Sequence, residues 1–131
     1  MTITKLYDFA AQKDIDIFPF AFNECESLSL LDNGECFVAI DPYKIESNAD
    51  EKVKLAHELG HCEMGAFYNA FSPFDIRSKH ESTANKWAIK KLIPEDELKE
   101  ACKICTNRYE LSEYFGVTED FMQIALDFYN N

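Results

Sequence analysis

An α+β fold is what this sequence predicts: a small three-stranded antiparallel sheet packed with a helical core and followed by C-terminal helices. Three observations predict it. β-formers crowd the stretch from Ile15 to Asp41, and helical patterns take over after it. Helix start signals follow at Ser47 and at Pro94. Hydrophobic residues make up 47% of the 131 residues, with eleven Phe and six Tyr, which is enough to build a packed core and excludes a largely disordered chain. A single domain over residues 1–131 is therefore expected.

From Thr2 to Lys13, Leu6, Phe9 and Ala10 recur at helical spacing and predict a short first helix that caps the core. Three strand runs follow: Ile15, Ile17 and Phe18, then Leu28 and Leu30, then Phe37, Val38 and Ile40. Asp32-Asn33-Gly34 separates the last two, and Asn-Gly accepts the positive φ angles of a tight hairpin turn. Ser47 then supplies an N-cap, with Asp50 and Glu51 stabilising the positive end of the helix dipole. Gly60 in the middle of that helix costs about 1 kcal/mol against alanine, so close approach by another backbone is its expected reason. Phe67, Tyr68, Phe71, Pro73 and Phe74 mark a loop wrapping the end of this helix. A third helix opens at Ser82 or the residues before it and stops before Pro94, where a fourth begins. Leu111 to Phe115, Gly116, and then Phe121, Ile124, Ala125 and Phe128 read as helix, turn and helix. That last helix offers Glu119, Asp120 and Asp127 without a Lys or Arg, so core packing is expected of it rather than DNA reading.

The second helix carries His57-Glu58-Leu59-Gly60-His61. Residues four apart on a helix lie about 40° from each other around the axis, so both imidazoles face one point. Glu58 is turned roughly a quarter-circle from them, where it serves as a general base rather than a ligand. Zinc hydrolases add a third protein ligand and leave one position to water. Glu63 stands about 200° around the helix from His61 and points away. Asp75 falls in the aromatic loop, where a turn hydrogen bond is expected. Glu81 shares a stripe of the third helix with Ala84, Asn85, Ala88 and Leu92, and a carboxylate facing a core needs a positive partner. The expected metal ligands are thus His57, His61 and Glu81. With zinc there, Glu58 accepts a proton from a water whose pKa the metal lowers towards about 7, and passes it to a leaving amine. Manganese or iron suits the same ligand set. His80 is expected at the rim of the pocket as a proton donor or oxyanion partner, and Asn85 behind a ligand as its orienter.

Thirteen Lys plus Arg against 24 Asp plus Glu give a net charge of −11, which repels a phosphate backbone and argues against direct nucleic-acid binding. It favours a basic protein partner instead. No apolar run is long enough for a bilayer and the first residues lack a signal-peptide layout, so a cytoplasmic protein without membrane contact is expected. Cys25, Cys36, Cys62, Cys102 and Cys105 form no framework spacing and are expected as reduced thiols. Cys102 and Cys105 make half of a structural zinc site without a second pair to complete it.

His-Glu-Leu-Gly-His followed by Glu81-Ser-Thr-Ala84-Asn85-Lys-Trp87-Ala88 resembles the ImmA/IrrE family of metallo-endopeptidases, closely over roughly Ser47 to Pro94. Trp87 departs from the Phe more usual there. The resemblance implies a zincin-like core, zinc on His57, His61 and Glu81, and Glu58 as base. It further implies an anti-repressor protease of a phage or mobile element, cleaving a helix-turn-helix transcriptional repressor. At this length the sensor-like domain that some relatives append is not expected. Two other readings remain: an acidic binding module that displaces a repressor from DNA without cutting, and a structural zinc domain.

Overall fold

The computed structural model describes residues 1–69 and 72–131; Phe71 of the aromatic loop lies outside them. Over the described residues the order is α1 (Ile3–Gln12), β1 (Asp16–Pro19), β2 (Ser27–Asp32), β3 (Glu35–Ile40), α2 (Asn48–Met64), α3 (Arg77–Leu92), α4 (Glu95–Ala101), α5 (Arg108–Phe115) and α6 (Glu119–Tyr129). The α+β class holds. None of the described helices is long and apolar enough to cross a membrane.

The sheet corrects the antiparallel expectation. β2 and β3 form the predicted hairpin, with Asn33 and Gly34 both at positive φ. β1, however, pairs with β3 in parallel, and the strand order is β1-β3-β2. Burial explains the placement. Val38, Ala39 and Ile40 of β3 are all buried, so this strand takes the centre with a neighbour on each side. Residues 20–26 then carry the chain from the end of β1 past β3 to the start of β2.

Asp41 and Lys44 fasten that crossing. The buried Asp41 carboxylate accepts from the Phe22 and Tyr43 amides, both at 2.9 Å. The Lys44 ammonium donates to the Phe22 and Cys25 carbonyls. The Phe22 amide above all, with the Tyr43 amide and Lys44, holds the Asp41 carboxyl below its ordinary 3.8 against the opposing effect of burial. A depressed folded pKa stabilises the fold above the unfolded value, and that stability is lost as pH falls through the folded one. Asp41→Asn should therefore lower the melting temperature at pH 7, with the gap to wild type closing below the ordinary carboxyl value. Melting curves across pH check this, and a gap independent of pH would refute it.

The core lies between the sheet and the helices. Leu6, Val38, Leu55, Ala56, Leu59, Ile89, Leu92 and Met122 pack in one buried cluster. Helix α2 runs through its centre, capped by Ser47 on the Asp50 amide and ended by Gly65 in the left-handed region. Lys52, on the buried side of α2, donates to the Phe115 carbonyl at the end of α5, and burial pushes its amine pKa down. The helix-turn-helix segment packs into the core with Phe115, Val117, Phe121 and Ala125 buried, but Ile124 of the same predicted face lies exposed.

Cys36 of β3 and Cys62 of α2 are disulfide-bonded, which corrects the expectation of reduced thiols throughout. Cys25, Cys102 and Cys105 are free. The pair was unreadable in the sequence because the two residues meet only once the sheet covers α2.

Candidate metal centre

Helices α2 and α3 pack against each other at Gly60. A Cβ there would stand 2.6 Å from the Ala84 carbonyl oxygen, closer than real Cβ atoms come. The missing side chain lets the two backbones touch, as the mid-helix glycine predicted. That contact brings the side chains flanking Gly60 on α2 up to those flanking Ala84 on α3.

His57, His61 and Glu81 meet there, with their ligand atoms all within 4.8 Å of one another. His57 Nε2 lies 2.8 Å from Glu81 Oε2, and His61 Nε2 lies 3.2 Å from Glu81 Oε1. The two Nε2 atoms are 3.2 Å apart. The other ring nitrogens have partners: His57 Nδ1 bonds Asn85 Oδ1 at 2.7 Å, and His61 Nδ1 bonds the Ala66 carbonyl at 2.5 Å. A carbonyl oxygen only accepts, so Nδ1 of each ring carries the proton and Nε2 of the neutral ring presents its lone pair. Two lone pairs and a carboxylate then converge within hydrogen-bond distance of one another. A metal ion among the three, or a proton on one ring, relieves the repulsion within such a donor set, and two histidines with one carboxylate is a set that zinc takes. These residues fit a metal ion. Asn85 bonds the His57 ring, and the Ala66 carbonyl does the same for His61 without any signal in the residue type.

Glu81 is less buried than its place on the α3 stripe predicts. Its side chain is 43% exposed, at the edge of a cleft rather than in the core, and the buried stripe of α3 begins at Ala84. Glu63 points away as predicted, with its carboxylate 4.0 Å from Lys13, the residue that caps the end of α1.

Glu58 is 6% exposed and stands outside the cluster of ligand atoms, yet it lines the same cleft of about 910 Å³. Its Oε2 accepts from the Ser27 hydroxyl at 2.6 Å. Ser27 was not foreseen. Its available signal was the alternation Ser27-Leu28-Ser29-Leu30, because the serines stand opposite the buried Ile40 and Val38 of β3 and face α2 with them, while the leucines lie exposed. A hydroxyl on the core face of a strand needs a buried partner.

His80 lines the cleft without joining the ligand cluster. Its Nε2 bonds Asp75 Oδ1 at 2.5 Å. Asp75 makes the expected turn bond, accepting from the Asn69 amide, and that bond first and His80 second hold its carboxyl below the ordinary range. The opposite wall is β2, an edge strand of the sheet, with Leu28, Leu30 and Leu31 more than a third exposed.

Compared with known families, residues 10–127 match the model of the IrrE N-terminal-like domain, peptidase family M78. No curated protein and no solved structure matches the chain. The match spans most of the sequence and includes both helices that carry His57, His61 and Glu81, and on that ground the chain belongs to the IrrE N-terminal-like peptidase family.

Proposed function

We propose that this protein is a zinc-dependent endopeptidase that cleaves a helix-turn-helix repressor and so acts as an anti-repressor. The observation that carries the hydrolytic part is the convergence of two Nε2 lone pairs and a carboxylate beside Glu58 in one open cleft. A divalent ion held by His57, His61 and Glu81 would supply an acidified water and a polarised carbonyl. Glu58 would serve as the base that takes a proton from the attacking water and returns it to the nitrogen of the departing amine as the C–N bond breaks. Asn85 and the Ala66 carbonyl keep the two imidazoles in the tautomer that ligates. We read His80 as an oxyanion partner in its doubly protonated form, donating through Nδ1 because the Asp75 carboxylate already takes the Nε2 proton; what supports this is its place on the cleft wall and the anchoring of its ring by Asp75.

The free edge of β2 suits an extended segment of substrate, which would add to the sheet as a further strand. The exposed leucines there favour apolar side chains in that segment. A repressor as substrate rests on the family resemblance and on the net charge of −11, which draws a basic partner and discourages the protein from binding DNA itself.

Metal content tests the foundation. Elemental analysis of protein purified with zinc supplied should give about one zinc per chain, and His57→Ala and Glu81→Ala should each lose most of it. Wild-type protein that takes up no zinc, manganese or iron would overturn the proposal.

A further inference from the structure

We propose that Ser27 is a positioning residue for Glu58, fixing which carboxylate oxygen receives the proton; this rests on the endopeptidase reading. Among the described residues Glu58 has one hydrogen bond, from Ser27 Oγ to Oε2. At 2.6 Å it falls in the short range of hydroxyl-to-carboxylate bonds, roughly twice as strong as neutral ones. Among the described residues no buried side-chain oxygen lacks a partner, so Oε1, which has none, keeps some exposure, and the cleft that Glu58 lines is where it is open. The carboxylate is therefore asymmetric: one oxygen is tied to the sheet and the other is presented to the cleft.

That asymmetry matters because a carboxylate turns readily about its terminal bond. Removing the hydroxyl leaves Glu58 with no bond to set its plane, and a proton-transfer distance set by a rotating group is met only part of the time. The tie also crosses the molecule. Ser27 belongs to the strand whose edge borders the cleft, and Glu58 to the helix that carries both histidines. A substrate laid on β2 is thereby kept in register with the base.

The bland alternative is a hydroxyl that merely satisfies a buried carboxylate, and such a bond would show in stability rather than in turnover. The test uses zinc-loaded wild-type, Ser27→Ala, Ser27→Thr and Glu58→Gln proteins. A peptide cleaved by wild type is first selected from a proteome-derived peptide library by mass spectrometry and then assayed for kcat and KM. Ser27→Ala is expected to lose about 10–100-fold in kcat, with KM and zinc content unchanged. Ser27→Thr, which keeps the hydroxyl, should restore most of kcat. Equal kcat in Ser27→Ala and wild type, or a melting temperature that falls while kcat per zinc stays constant, would overturn the positioning role and leave the endopeptidase standing. A threonine variant as slow as alanine would also overturn it, by showing that the loss does not follow the hydroxyl. If zinc-loaded wild type cleaves nothing in the library, the endopeptidase reading fails and the role of Ser27 falls with it.

Discussion

Glu58→Gln is expected to lower kcat by about 10²–10⁴-fold while leaving zinc content and melting temperature close to wild type. The size follows from chemistry. Glutamine matches the shape of glutamate and still accepts from Ser27 through its amide oxygen, but it has no basic oxygen to take a proton. Because Glu58 stands outside the ligand cluster, its exchange removes no metal bond. The fold should tolerate the change, since burying a neutral amide costs less than burying a carboxylate. The outcome separates the three readings of the sequence. A binding module that displaces a repressor would keep its function in the variant. A structural zinc domain would show no cleavage in either protein, and its wild-type form would unfold on chelation. Undiminished cleavage by the variant would remove Glu58 from the chemistry altogether.

The parts of this fold that the sequence reveals are those decided locally. Ser47 and Gly65 bound α2 because a cap and a left-handed residue act on their own neighbours. Asn33 and Gly34 make the β2–β3 turn for the same reason. The histidine pair needs only the helical repeat to converge. Gly60 sits between these cases: its cost is local, while its reason, the Ala84 backbone, comes from α3. What stays hidden depends on how elements pack. β1 lies parallel to β3 because the most buried strand claims the centre, and no residue within β1 encodes that choice. The stripe of α3 predicts a core-facing Glu81, yet the structure leaves it half open to the cleft, so its pairing with the histidines rather than any desolvation accounts for its position. Ser27 is separated from Glu58 by 31 residues, and only the folded sheet brings its hydroxyl to the carboxylate.

Reduction of the Cys36–Cys62 bond is the second large effect expected. The bond closes a loop with 26 residues of sequence separation, and the chain-entropy relation for such a loop gives about 3.5 kcal/mol of stability. For a chain of this size that corresponds to a fall of about 10 °C in melting temperature under reducing conditions. Part of the loss would fall on the site's own frame, because Cys62 follows His61 on α2 and the bond ties that turn of the helix to the central strand. Cys36→Ala/Cys62→Ala should melt near reduced wild type and no longer respond to reductant. Thiol titration of unfolded, unreduced protein gives an independent count: three reactive thiols if the pair is bonded, five if every cysteine is free. Five thiols, with a melting temperature indifferent to reductant, would return Cys36 and Cys62 to the reduced state that composition alone suggests.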